Sequence, residues 1–222
     1  MIGVSERYGS SSSGAARDAD ADRAKTWLTP EQIDEIRDAV FSASPVYLQT
    51  RDETLVTVLA DTGLRVGELV ALDWELLDLD ADPAEIMLPS EIQKGDPGVA
   101  YLDLAPETAR QLRRLRSDGY KETEAVFYSR SSDRISPRGV QNLVKKLARE
   151  ADVRPHAVST LEGYSVERGR APPEAVTPHT FRHSIAFRLI RREGKRLEDV
   201  KMRLRHRYLE TTDRVYSHLR RR

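Results

Sequence analysis

Apolar residues recur at helical spacing in separate blocks along the 222-residue chain. Ile33, Ile36 and Val40 follow Thr29-Pro30-Glu31, which offers an N-cap, a first-turn proline and an acid near the positive end of the helix dipole. Leu55, Val58 and Leu59 predict a second helix from about Thr50 to Asp61, which Gly63 ends or bends before helix resumes over Arg65 to Leu72. Leu112 and Leu115 line a helix over Pro106 to Arg116, and Val140, Leu143, Val144 and Leu147 line another that starts at Ser136-Pro137. Three short helices follow near the C-terminus. Thr177-Pro178 opens the first, Leu197, Val200 and Leu204 mark the second, and Thr211 or Thr212 caps the third, which carries Val215, Tyr216 and Leu219.

Between the second and third of these blocks the pattern changes to strands. Glu85-Ile86-Met87-Leu88, Ile92-Gln93-Lys94 and Val99 to Leu104 are extended pieces, with a turn at Gly95-Asp96-Pro97-Gly98 that places Lys94 at a hairpin tip. Val126-Phe127-Tyr128 is a short buried strand or extended segment, and residues 151–176, rich in Gly and Pro, make a long loop of a kind that is often functional. Residues 1–28 are polar, with Ser10-Ser11-Ser12-Ser13-Gly14 inside them, and are expected to form a disordered tail, order beginning around Trp27-Leu28-Thr29. The expected architecture is therefore one mainly α-helical α+β domain over residues 29–222, with a small antiparallel β-hairpin sheet.

Composition changes this picture in two respects. With no cysteine, the chain has neither a disulfide framework nor a thiolate ligand or nucleophile, and no apolar run approaches the roughly 18 residues that cross a bilayer. A soluble, cytoplasmic protein is expected. The net charge is zero, but residues 1–109 carry 8 Lys and Arg against 22 Asp and Glu, whereas residues 110–222 carry 28 against 14. Such a split favours one electropositive surface, and a polyanion responds to local field rather than to the sum. Lys145, Lys146, Arg149 and Arg205 are the candidate DNA contacts on that surface.

The candidate chemistry gathers in the last third. His179 and Arg182 are three apart on a first helical turn, near the positive end of a helix dipole, where an anion is the natural occupant. Arg65, beside the Gly63 break, offers a second guanidinium fork, and two such forks can neutralise a five-coordinate phosphorus without a metal. Without cysteine, the phenol of Tyr216, near His206, is an available nucleophile, and nearby arginines would favour its phenolate. Lys94 can protonate a departing oxygen if its hairpin closes on the site. Each residue also has a plainer use. Tyr216 is one of eight tyrosines, Arg65 can pair with Glu68, and His179 with His183 has a metal-type spacing without the Glu of a zinc-hydrolase helix.

Order and context of all six together resemble the catalytic domain of the tyrosine recombinase, or phage integrase, family. The resemblance runs through Thr62-Gly63-Leu64-Arg65-Val66-Gly67-Glu68-Leu69, Gln93-Lys94-Gly95, Pro178-His179-Thr180-Phe181-Arg182-His183, Leu204-Arg205-His206 and Tyr216, across about residues 29–219. It implies the fold of that domain and a cofactor-free, metal-independent cut of one strand of double-stranded DNA. Tyr216 would be the nucleophile of a 3′-phosphotyrosyl intermediate, with Arg65, His179, Arg182 and His206 on the phosphate and Lys94 as the acid. A second 5′-hydroxyl would then rejoin the strand in a new pairing, usually within a tetramer on DNA.

The sequence departs from the family in that no N-terminal core-binding domain is evident, only six residues follow Tyr216, and Arg205 stands where the family often has Gly. These departures leave two alternatives beside recombination. One is a DNA-binding remnant that occludes a site without cutting it, and the other is relaxation of supercoils, as in type IB topoisomerases.

Overall fold

A computed structural model describes residues 26–95, 98–157, 165–205, Thr212 and Tyr216. Strand β1 (Thr26–Trp27) leads into helix α1 (Pro30–Asp38), which opens as the sequence predicts. Thr29 Oγ1 accepts from the Gln32 N–H at 3.3 Å and Gln32 Oε1 accepts from the Thr29 N–H at 3.1 Å, a reciprocal box that satisfies two orphan donors. A short α2 (Val40–Ala43) precedes the central helix α3 (Val46–Thr62), whose Leu55, Val56, Val58 and Leu59 are fully buried. Gly63 stops α3 in the left-handed region, at φ 61°, and α4 (Val66–Val70) starts three residues after it. The break beside Arg65 is thus a C-cap that only glycine adopts without strain.

Strands β2 (Leu77–Asp78), β3 (Glu85–Leu88) and β4 (Ala100–Asp103) form an antiparallel sheet in that order, with Ile86 opposite both Leu77 and Leu102. Ile86, Leu88 and Leu102 face the core while Tyr101 is exposed, the period-2 alternation of a half-buried sheet. Ile92-Gln93-Lys94 is not a strand as expected. Pro89 has no N–H to give to a ladder, and Ser90–Ile92 coil into a 3₁₀ turn. The Gln93 side chain closes the loop instead, donating to the carbonyls of Leu88 at 2.9 Å and Gly98 at 2.7 Å.

Helices α5 (Pro106–Asp118) and α6 (Pro137–Glu150) follow, the second capped by Ser136 Oγ on the Gly139 N–H at 3.0 Å. Between them Val126, Phe127 and Tyr128 are buried but bend at Val126 and Phe127 instead of forming the expected strand or extended piece, tied by the Val126 N–H to the Leu72 carbonyl and by the Ile135 N–H to the Phe127 carbonyl. Within the expected 151–176 loop lie strand β5 (His156–Ala157) and a 3₁₀ turn at Pro173–Ala175. Strand β5 pairs antiparallel with β1, and the Trp27 ring stacks between His156 and Phe187 at 5.5 Å from each. Thr26 to Leu28, assigned by composition to the tail, are therefore part of the fold, with Leu28 in the core. Their contacts are to residues far along the chain, which local polarity does not reveal.

Helix α7 (Pro178–Phe187) continues into a π-helical turn at Arg188–Arg192, and α8 (Leu197–Leu204) ends at Arg205. The predicted last helix lies outside the described residues apart from Thr212 and Tyr216, both in helical backbone. The main core runs through α1, α3, α5, α6 and the sheet. A smaller one joins Ile185, Ala186, Leu197, Val200, Leu204 and Tyr216. Along the seam between them, α7 packs against the C-terminal end of α3. An added Cβ at Gly63 would sit 2.8 Å from Ile185 Cδ1, so glycine avoids a close approach there as well as a strained φ.

Candidate active site

Arg65 is the N-cap of α4 and Glu68 its third residue. The Glu68 carboxylate accepts from the Arg65 N–H at 2.8 Å on Oε2 and from Arg65 Nη1 at 2.8 Å on Oε1, which fixes both backbone and side chain of the arginine. Arg205 Nη2 donates to the same Oε2 at 2.6 Å. Glu68 is 1% exposed. Burial by itself would push its carboxyl pKa up, but Arg205, Arg65 and the Arg65 N–H together outweigh it and hold the pKa below the ordinary carboxylate value.

Arg182 enters from α7 and is 3% exposed. Its Nη1 donates to the Gly63 carbonyl at 2.7 Å and its Nη2 to the Leu204 carbonyl. Both acceptors lie at helix C-terminal ends, of α3 and of α8, where carbonyls lack intrahelical donors and the dipole favours a cation. Burial, with repulsion from Arg65 and Arg205, lowers the Arg182 pKa to about 9, partly opposed by attraction to Tyr216 and Glu68; the group stays cationic at neutral pH. One guanidinium thus braces three elements and carries positive charge into the seam.

Tyr216 is buried, and its hydroxyl lies 2.8 Å from His183 Nδ1. The His183 ring meets Tyr216 edge-on at 5.6 Å between centroids and His179 at 5.7 Å, so the three rings form a chain. Burial drives the phenol pKa well above its ordinary value, against the opposing pull of Arg182 and then Arg65. With the neutral His183 tautomer that leaves Nδ1 unprotonated, the phenol donates and the imidazole is placed to take its proton.

The structure therefore gathers Arg65, Arg182 and Tyr216 of the predicted set, with His179 joined through His183. Lys94 is exposed in the turn after the Ser90–Ile92 segment, on the loop between β3 and β4. His206 lies outside the described residues. Of the candidate DNA contacts, Lys145, Lys146 and Arg149 lie off the apolar face of α6; Lys146 Nζ donates to the Ala43 carbonyl, and Arg149 Nε is 3.9 Å from Glu174 Oε1. Arg205 departs from its expected place on the surface: its side chain is 9% exposed and turned inward onto Glu68. Among the described residues no three His, Cys, Asp or Glu side chains gather as a metal site, so His179 and His183 remain a pair.

Two participants escaped the sequence reading. Glu68 was visible only as a possible surface partner of Arg65, and His183 only as half of a metal-type spacing. The usable signal for Glu68 was its position three residues into a helix whose N-cap is Arg65, and for His183 its place one helical turn after His179.

Fold and site together define a mainly helical catalytic-type domain that holds a tyrosine hydroxyl beside a cluster of arginines, with Arg182 buried, the Arg205 side chain nearly so and Arg65 partly exposed. A sequence model described as the phage integrase family matches residues 26–222, and the chain belongs to that family. Tyrosine recombinase XerC of Pseudomonas putida (strain W619) is 30% identical over 177 residues, covering 78% of this chain and 50% of that protein. XerC of Pseudomonas aeruginosa (strain PAO1) is 32% identical over 176 residues, covering 78% of this chain and 49% of its own length. The chain thus spans about half the length of these curated relatives. Among solved structures, XerA recombinase superposes with a TM-score of 0.63 at 22% identity, covering 88% of this chain and 65% of that one. The post-cleavage complex of XerH site-specific recombinase with palindromic difH gives 0.66 at 18% identity, covering 89% and 50%. These likenesses establish the tyrosine recombinase catalytic-domain fold. Among the described residues no helix is long and apolar enough to cross a membrane.

Proposed function

We propose that this chain cleaves and rejoins DNA strands at specific sites through a covalent bond between the Tyr216 oxygen and a 3′-phosphate. The observation that carries the proposal is the 2.8 Å contact between the Tyr216 hydroxyl and His183 Nδ1, within the fields of Arg182 and Arg65. Tyr216 Oη attacks phosphorus and the bond to the 5′ oxygen breaks. The phenolic proton passes to His183 and the leaving oxygen takes a proton from Lys94. Arg65 and Arg182 carry the negative charge that builds on the non-bridging oxygens, where losing one such donor typically costs about 2.7–4 kcal/mol of barrier. His179 lies next to His183, and His206 is the remaining phosphate ligand. The transferred bond stays in the ester, so a second 5′-hydroxyl can reverse the step without a nucleotide or a metal, within a tetramer on two DNA sites.

The test is adduct formation on nicked duplexes made from pooled fragments of the host genome. A protein–DNA species resistant to SDS should form and should be lost in Tyr216→Phe. Absence of any adduct across salt concentrations, with duplex binding intact, would overturn the proposal.

One observation favours a second reading, in which the chain binds and occludes a site without cutting it. In this arrangement Tyr216 is 1% exposed and both Arg182 terminal nitrogens are engaged by backbone carbonyls. That reading expects salt-sensitive duplex binding, unchanged in Tyr216→Phe, and no adduct.

A further inference from the structure

The residue that follows α8 is out of keeping with its backbone. Arg205 sits at φ 52° and ψ 46°, the left-handed conformation that glycine adopts freely and an arginine does not. Its side chain is nevertheless buried. Nη2 reaches Glu68 at 2.6 Å, while Nε and Nη1 are buried with no acceptor among the described residues. Strain in the main chain and two unsatisfied donors in the side chain are both unfavourable, and both are maintained around a single contact with Glu68.

That contact balances charge. Glu68 has two partners on Arg65, its N–H and its Nη1, and so fixes the orientation of that guanidinium. A lone carboxylate in that position, 1% exposed, would also cancel much of the Arg65 charge felt by an incoming phosphate, because burial leaves little water to screen it. Arg205 supplies the missing cation. Arg65, Arg182 and Arg205 against Glu68 leave a net charge of about +2, and removing Arg205 leaves about +1, with formal charges assigned to each ionised group.

We propose that Arg205 is a positioning residue for strand cleavage: it neutralises Glu68, so that Glu68 can orient Arg65 without reducing the positive charge that Arg65 and Arg182 present to the scissile phosphate. The inference rests on the strand-transfer reading above. It assigns a role to this chain's own departure at a position where the family often has glycine.

The experiment measures single-turnover adduct formation and, separately, duplex affinity for the wild type, R205G, R205M, R205K, E68Q and the double variant E68Q/R205M. R205G relieves the backbone and so guards against a simple failure to fold. Adduct formation in R205G and R205M is expected to slow at least tenfold while duplex affinity changes less than threefold. R205K, which keeps the charge, recovers to within about fivefold of wild type. E68Q/R205M removes one charge of each sign and is expected to be faster than R205M. A wild-type rate in R205G, an R205K as slow as R205M, or strictly additive losses in the double variant overturns the inference while leaving strand transfer intact. Should the wild type form no adduct, the strand-transfer reading falls, and binding of inorganic phosphate followed by ³¹P NMR decides the charge claim. Weaker binding in R205M and R205G with retention in R205K supports it, and equal binding in all overturns it.

Discussion

Gly63→Ala tests whether the seam between the two cores holds the site together. Three terms set its magnitude. An alanine at φ 61° carries a left-handed penalty of about 1–2 kcal/mol, reduced by about 0.4–1 kcal/mol because the unfolded chain loses freedom. The new methyl would lie 2.8 Å from Ile185 Cδ1 and 3.3 Å from Leu204 Cδ2. Both are ends of movable side chains, so overpacking belongs at the low end of its range, about 1–2 kcal/mol. The sum is a loss of about 1–3.6 kcal/mol. Gly194→Ala supplies the control, since Gly194 has φ 64° but nothing within 4 Å of an added Cβ, leaving the backbone penalty alone. Urea titrations should place Gly63→Ala about 1–2 kcal/mol below Gly194→Ala, with unchanged m-values. Ile185→Val added to Gly63→Ala should narrow the gap by removing the methyl that is struck. Because the Gly63 carbonyl holds Arg182 Nη1, the same variant should also slow adduct formation. Equal stability of the two glycine variants would refute the packing argument.

Further variants probe the rest of the site. Glu68→Gln should cost stability in a pH-dependent way: the folded carboxyl pKa is depressed, so its contribution is complete above the unfolded value, about 4.3, and disappears as pH falls through the folded value. Denaturation midpoints of wild type and Glu68→Gln should therefore differ at pH 6 and converge once the pH has fallen through the folded value. Tyr216→Phe should lose the adduct while costing about 1 kcal/mol of stability, the scale of one hydrogen bond, with a fully cooperative melt. Tyr216 also predicts an alkaline limb. Its pKa is raised by folding, so that stabilising contribution is intact below the unfolded value near 10 and declines as pH rises above it; Tyr216→Phe should lack this part of the decline. Lys94→Ala should slow cleavage of an ordinary duplex, and a substrate with sulfur in place of the bridging 5′ oxygen should restore the rate, since a thiolate leaves without an acid.

What could be foreseen from the chain divides by the range of the interactions. The caps of α1, α6 and α7 were legible because each is written within four residues, as Thr29 to Gln32, Ser136 to Gly139 and Thr177 to Thr180. The break at Gly63 was legible because glycine at a helix end has one usual meaning. The strand expected at Ile92-Gln93-Lys94 failed where a side chain took over a backbone role: Gln93 bridges the carbonyls of Leu88 and Gly98, and an amide in a short apolar run gives no sign of that. Trp27 looked like the edge of a tail because its partners, His156 and Phe187, are more than a hundred residues away. Within the site, residue types carried the chemistry, and the ionic partnerships did not show. Arg205 looked like one more cation on a basic surface until the fold set it against Glu68, 137 residues earlier.

That pairing also bears on how a chain of zero net charge can hold the proposed phosphate site. Arg65 and Glu68 come from the acidic half, and Arg182 and Arg205 from the basic half. Had each half folded its charges onto itself, Glu68 would have matched Arg65 and the seam would have been nearly neutral on one side. Instead Arg205, just past the end of α8, crosses to that carboxylate while α7 brings Arg182 into the same seam, and the excess is positive where the Tyr216 hydroxyl lies. Raising ionic strength should weaken duplex binding through the exposed lysines and arginines much more than it slows cleavage by DNA already bound, because counterions screen the surface and do not enter the seam. Equal salt slopes for binding and for single-turnover cleavage would show that the arginines act as surface charges.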